Sequence, residues 1–408
     1  MQVAYRERDF PTYLAARFLS GVSMLMQSVA VGWHVYDIAR QPLALGLVGL
    51  AQFVPMFLLI LPGGEASDRF DQRRVLALAL VLEACCSGLL LIITFAHSHA
   101  VWPFYAVMAL FGCARGFSGP AAQSLLPFLV PPGRLSKSIA WGSSVSQVAV
   151  IVGPAIGGFL YALGPAPAYG VCGACFLTAA VSFTLLGGRR RAADDGPLAS
   201  RIERVREGIR FVRSRAVILG AMSLDLFAVL LGGATALLPV YARDILRVGP
   251  QGLGLLRCGP ALGAVAVALL LTRWPVRRRT GAKMFLCVAV FGVATIVFGL
   301  SRNFYLSLGA LALLGASDQI SVYIRTTLVQ LATPDVMRGR VSAVNVLFIG
   351  ASNELGEFES GTTAALFGTV PAVVLGGIGT LIVVGIWMRL FPSLREIDRL
   401  TDVTPRLS

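Results

Sequence analysis

The sequence predicts an all-α membrane protein of twelve transmembrane helices arranged as two six-helix halves, and three observations predict it. Of the 408 residues, 56% are apolar and only 14% charged, with a mean hydropathy of +0.75, whereas soluble domains carry about 25% charged residues. Apolar runs near or above the length that crosses a ~30 Å hydrocarbon layer lie at 13–36, 43–63, 75–96, 102–126, 139–163, 167–187, 217–241, 251–272, 282–300, 304–327, 341–367 and 371–391. The basic residues, all arginine except Lys137 and Lys283, alternate with these runs. The tails and even-numbered loops, counted with Lys283 and Arg389 at the adjoining span ends, hold 27 of the 35, and the odd-numbered loops hold only Arg40, Arg243, Arg247 and Arg302. The remaining four, Arg17, Arg115, Arg257 and Arg325, fall inside spans. Cytoplasmic loops retain positive charge, so both termini are expected in the cytoplasm.

The same distribution argues against nucleic acid as a partner despite a net charge of +14, because the arginines sit in short loops between spans. Seven cysteines in apolar segments predict no disulfide framework, and Cys172 and Cys175 form a CxxC with no partner pair, so they read as small hydrophobes. No small-residue cleavage site follows a short apolar core, so no removable signal peptide is expected. Neither a phosphate-binding GxxxxGK[ST] nor a zinc-type HExxH occurs, and neither a nucleophile with its base nor a metal cluster stands out. An enzyme, a cofactor and a metal are therefore not expected.

After the second span, "GGEASDRFDQRRV" places Gly64, Asp68, Arg69 and Arg73 on a short cytoplasmic turn. A carboxylate there can bind the positive N-terminal end of a neighbouring helix and release it. The third span carries Glu83. In the fourth, "CARGFSGPAAQ" puts Arg115 four residues before Gly119. A cation at that depth needs an acidic or carbonyl partner; proton coupling, substrate handling and a structural ion pair all fit it. In the fifth, "GPAIGG" sets Gly153, Gly157 and Gly158 on a stripe free of side chains, where another backbone can approach, and Pro154 bends the helix.

The polar stretch 188–216 divides the chain into halves at 1–187 and 217–408. Its Ile202, Val205, Ile209 and Val212 recur at helical spacing among arginines, which predicts an amphipathic helix along the inner leaflet. The seventh span carries Asp225 and the tenth Asp318. In the eleventh, "NELGEFESG" puts Glu354, Glu357 and Glu359 into an apolar run. Each carboxylate at the bilayer centre costs about 2.5–3.5 kcal/mol, so these must face protein or water. Gly350, Glu354, Glu357 and Gly361 share a helical face and Glu359 points nearly opposite. Asp225, Glu354 and Glu357 are therefore expected as proton or cationic-substrate sites ahead of Glu83 and Asp318, and Glu359 as the partner of a buried arginine such as Arg325. His34, His97 and His99 lie near membrane boundaries and are expected to take no part.

The halves echo each other. "FYAVMALFG" at 104–112 returns as "FYLSLGALALLG" at 304–315, and "GPAIGG" aligns with "GEFESG" at 356–361. Repeated halves are the sequence sign of a secondary transporter with its substrate path near the midplane.

These motifs carry a resemblance. Gly64, Asp68, Arg69 and Arg73 resemble the GxxxDRxxxR signature of the major facilitator superfamily, with Asp71 in place of its glycine and Gln72 in place of its first basic residue. Arg115 resembles the superfamily's buried arginine, and Gly153, Pro154, Gly157 and Gly158 resemble the core of its antiporter motif. With "RGRVSAVN" and "LDLFAVLLGGATALLPVYARD", the chain is similar to the bacterial efflux branch that includes the enterobactin exporter. The resemblance implies the major facilitator fold and an inner-membrane, proton-coupled exporter of a small amphipathic molecule, siderophore or drug-like, working as a monomer. It also implies that Asp68 helps to hold an outward-facing state. The basic turn "LTRWPVRRRTGAK" of the second half has no acid, so a degenerate latch is expected there. A proton-coupled importer and a non-transporting receptor remain open alternatives.

Overall fold

The computed structural model describes residues 9–187, 198–274, 276 and 278–399. The first part of the expected linker, 188–197, lies outside the described residues. Where hydrocarbon offers no hydrogen bonds, backbone groups must pair within their own segment, and the described chain is almost wholly helical. Two compact units divide it: Met1–Gly196 with Arg247–Cys258, and Pro197–Leu246 with Gly259–Ser408.

In the first unit α1 (Asp9–Ala39), α2 (Pro42–Arg69), α3 (Gln72–Phe95), α4 (Trp102–Leu129), α5 (Leu135–Ala162) and α6 (Pro165–Thr184) are the six spans. Proline in the first turn opens α2, α4 and α6, where the missing N–H is one that a helix leaves unpaired anyway. Helix α2 packs on α4, α1 on α5 and α6, and α3 on α4 and α6. Apolar burial gives little drive between helices in lipid, so these contacts depend on close approach. At Gly63 an added Cβ would strike the Gly116 carbonyl, and at Gly112 the Gln52 carbonyl. This Gly112-xxx-Gly116 stripe is a joint that the sequence reading passed over.

In the second unit α7 (Leu198–Ser214) precedes α8 (Ala216–Leu231), α9 (Leu238–Val240), α10 (Gly249–Arg273), α11 (Thr280–Leu300), α12 (Phe304–Ala332), α13 (Asp335–Phe367), α14 (Thr369–Leu390) and α15 (Pro392–Arg395). The opening of α10, to Cys258, belongs to the first unit. Helices α11 with α12, α11 with α14, and α8 with α13 and α14 repeat the pairings of the first half. Gly263 meets Ala312 and Ala316 on α12 as Gly63 meets Gly116 on α4, two hundred residues apart. Gly164 (φ 132°) and Gly368 (φ 90°) make the turns before α6 and α14, conformations that a side chain would strain.

Among the described residues, ten segments are long and apolar enough to cross a membrane. The two remaining spans, α4 and α13, are 28 and 33 residues long and carry Arg115 and the three glutamates of "NELGEFESG".

Three expectations change. The seventh span is not one continuous helix: α8 stops at Leu231, and 3-10 turns, α9 and a π-helical turn at Tyr241–Ile245 carry the chain onward. Gly232 and Gly233 hold no side chain and let Phe291 of α11 and Gly356 and Ser360 of α13 press against the backbone there. Second, the C-terminal end of the α7 stripe packs on protein: Val212 is buried with Val341 and Val344, Gly208 lies on the Arg340 carbonyl, and Glu207 pairs with Arg340 at 2.9 Å. Ile209 stays exposed, and the side chains of Ile202 and Val205 lie outside the described residues. Third, the basic turn of the second half does receive an acid, from the chain's far end. Asp398 Oδ1 accepts from the Arg279 backbone N–H at 3.0 Å, and the carbonyls of Asp398 and Ile397 accept from Thr280 and Gly281 at 3.1 and 3.0 Å. The opening of α11 is thus closed by residues about 120 positions later, which local sequence does not reveal.

Candidate functional site

In the second unit, α8 presents Asp225 and α12 presents Arg325, joined by an ion pair of 2.8 Å between Arg325 Nη1 and Asp225 Oδ2. Their side chains are 3% and 10% exposed, Arg325 first, so this pair is out of solvent. Asp318 lies seven residues before Arg325, two turns along the same face of α12. It lies within electrostatic reach of both Asp225 and Arg325. A small cavity lined by Asp225, Ala228, Val229, Val288, Phe291, Asp318 and Ser321 opens among α8, α11 and α12. Arg325 Nε is buried without a hydrogen-bond partner. The group therefore holds two carboxylates, one guanidinium and space beside them.

Glu359 does not pair with Arg325. It accepts from Thr363 at 2.8 Å on its own helix, with Ser360 at 3.5 Å. The reason is packing: α13 lies against α7, α8 and α14, while α12 lies against α11 and α8, so Arg325 meets the carboxylate of α8. Glu354 and Glu357 are half-buried on α13. Beside them Gly356 faces the carbonyls of Val229 and Leu230, where α8 ends.

In the first unit Glu83, 4% exposed, accepts from Ser118 Oγ of α4 at 3.0 Å and lies within electrostatic reach of the half-buried Arg115. Gly153 and Gly157 of "GPAIGG" pack on Val22, Leu25 and Met26 of α1; Gly158 meets Pro250 and Gly254, and the Pro154 carbonyl also faces Gly254. The motif is therefore a two-sided close contact. Its counterpart in α13 behaves alike, since Gly356 and Ser360 press on α8 and on Gly233.

At the α2–α3 turn the side chain of Asp68 lies outside the described residues, and Gly64 sits within the last turns of α2. Arg69 pairs with Glu65. Arg73 grips Asp71, donating from Nε at 3.0 Å and Nη2 at 2.7 Å, and also donates to the Leu186 carbonyl at the end of α6. Asp71, a departure from the superfamily's signature, is thus the carboxylate that caps α3. The hydrogen bonds from Arg73 hold its carboxyl below the usual range against a smaller opposing effect of burial. A depressed carboxyl contributes stability that is present above its unfolded pKa and lost as pH falls through the folded value. Asp71→Asn is accordingly expected to lower the thermal midpoint at neutral pH, with the gap to the parent closing on acidification. Parallel melting curves in detergent across pH check this, and a gap independent of pH contradicts it.

Among the described residues no group of three or more histidine, cysteine, aspartate and glutamate side chains is placed to hold a metal.

The sequence profile of a family of transmembrane secretion effectors matches residues 3–406. The chain is 23% identical over 407 residues to macrolide efflux protein A of Streptococcus pyogenes, covering 95% of this chain and 97% of that protein. It is 25% identical over 409 residues to the enterobactin exporter EntS of Escherichia coli, covering 98% and 95%. Among solved structures, a bacterial homologue of the human lysosomal transporter Spinster, inward-facing and occupied, superposes with a TM-score of 0.76 at 12% identity over 97% of this chain and 100% of that one. A bacterial homologue of the iron transporter ferroportin, inward-facing, gives 0.71 at 16% identity over 96% and 99%. Those two structures speak for the major facilitator fold alone.

Proposed function

Since the chain belongs to the family of transmembrane secretion effectors, we propose that it is a proton-coupled secondary active exporter of a small amphipathic molecule, siderophore or drug-like, that works by alternating access as a single chain with both termini in the cytoplasm. The observation that carries the coupling is the Asp225–Arg325–Asp318 group beside its cavity. Two carboxylates against one guanidinium, Asp225 and Arg325 buried and Asp318 half-buried, leave the group one positive charge short, and an unbalanced charge inside a membrane is expensive. A proton is the smallest ion that balances it. Binding and release of that proton would change how α8 and α12 attract each other, which couples the acid group to helix movement. Glu354 and Glu357, on the helix that packs against the break after α8, are proposed as the cationic-substrate side of the same machinery. Arg115 is proposed to tune the charge of the first half, and Asp68 to act as the latch that its motif suggests.

The test uses proteoliposomes and a macrolide probe driven by an imposed pH gradient. Asp318→Asn is expected to abolish the gradient-driven component of flux while leaving a monodisperse protein that still binds the probe. Gradient dependence equal to the parent's would defeat this assignment. Glu354→Gln and Glu357→Gln run beside it are expected to weaken probe binding with the gradient response retained.

A further inference from the structure

The first half contains a second buried acid that the coupling group does not use. Glu83 sits midway along α3, almost out of contact with solvent. One turn on, Ser87 donates to Gln27 Oε1 of α1 at 2.5 Å and lies 3.2 Å from the Glu83 carbonyl. Gln27 is wholly buried, and its Nε2 has no hydrogen-bond partner. With Ser118 bonded to the carboxylate, a polar chain Gln27–Ser87–Glu83–Ser118 joins the first, third and fourth helices of this half.

The second half places its acids at the same junction: Asp225 on its first helix, Val288 and Phe291 on its third, Asp318 and Ser321 on its fourth. The offset of two hundred residues that superimposes "FYAVMALFG" on "FYLSLGALALLG" sets Ser118 opposite Asp318. Each half thus keeps one polar group where its first, third and fourth helices meet.

We propose that Glu83 is a second proton-binding carboxylate, so that the exporter binds protons in both halves of the repeat. This rests on the proton-coupled reading above. The neighbours of Glu83 fit the role. From α4 the charged neighbour is Arg115, acting through space, while the direct bond comes from neutral Ser118. On its own helix the titratable neighbour is the Cys86 thiol. From α6 the backbone at Gly173 packs on Ala84 and Ser87, and from α1 the neighbour is the amide of Gln27. A cation that balances Glu83 by direct contact is therefore not what holds it. The unmet donor on Gln27 matters too, because a buried amide N–H without an acceptor is unfavourable.

The full chain, purified in detergent, is stepped across neutral pH in unbuffered solution with an indicator dye that counts protons. Glu83→Gln keeps a partner for Ser118 and is expected to exchange about one proton fewer per chain than the parent, with loss of one carboxylic-acid C=O band from infrared difference spectra. Glu83→Asp is expected to retain both signals. A proton count and infrared bands for Glu83→Gln identical to the parent's would overturn the proposal, even if the parent's flux responds to a pH gradient. Absence of any gradient-driven flux in the parent would overturn instead the coupling reading on which it rests, so the two failures are distinguishable.

Discussion

Arg325→Met is expected to cost about 3–5 kcal/mol of stability, the range seen when one partner of a buried ion pair is removed. The guanidinium is 3% exposed and 2.8 Å from Asp225, and Asp318 lies in the same electrostatic field. Methionine fills much of the same volume, so lost packing is a minor part of the effect. What remains is two carboxylates among apolar side chains with no cation beside them. Protonation relieves that situation, so the deficit should shrink as the medium is acidified and grow as it is made alkaline. The double variant Asp225→Asn/Arg325→Met is expected to recover part of the loss, because it removes a stranded charge together with its lost partner. Thermal unfolding in detergent for the two single variants and the double variant gives the coupling directly. Additive losses would mean that the pair contributes nothing as a pair, and the assignment of Arg325 as the counter-ion of the group would fall.

Gly63→Val is expected to be nearly as damaging for a different reason. An added Cβ at Gly63 falls against the Gly116 carbonyl and within 2.9 Å of that residue's carbonyl carbon, so α2 and α4 must separate or bend. Overpacking of this kind costs about 1–3 kcal/mol, and a branched side chain belongs at the upper end. In a bilayer there is no compensating gain from burying the new methyl groups, since lipid is equally apolar. The control lies nearby: Gly88 and Gly119 have nothing within 4 Å of an added Cβ. Alanine there should be neutral or stabilise by about 0.5–1 kcal/mol, the helical penalty of glycine. Gly263→Val in the second half is expected to match Gly63→Val, because Ala312 and Ala316 stand where Gly112 and Gly116 do. Folded yield and thermal midpoint report both comparisons, and equal tolerance at Gly63 and Gly119 would refute the close-contact account.

Much of the architecture was legible before any coordinates. Spans, their number and the halving of the chain follow from one requirement, that a segment in hydrocarbon be apolar and internally hydrogen-bonded, and that requirement acts residue by residue along the chain. The polar exceptions were legible as well, since an acid or an arginine inside a span stands out against its neighbours. Arg115, Asp225, Asp318, Arg325 and the three glutamates were all visible in this way. Their partners were not. Wheel geometry alone matches Glu359 with Arg325, yet α12 and α13 both pack on α8, and Arg325 takes its carboxylate there, from Asp225. The offset of two hundred residues already set Ser118 opposite Asp318, and the seven-residue spacing of Asp318 and Arg325 already put both on one face. Those two signals in the sequence favour Asp318 over Glu354 as the partner of the buried arginine.

By itself, the sequence determined that this chain lives in a membrane as two repeated sets of six helices, because hydropathy and helical periodicity are local properties. Only the tertiary structure decided which charges face each other, that the seventh span breaks at Gly232 and Gly233, and that Asp398 closes the opening of α11. Each of those depends on which helix lies beside which, and contacts between residues a hundred or more positions apart leave no mark in any short window of sequence.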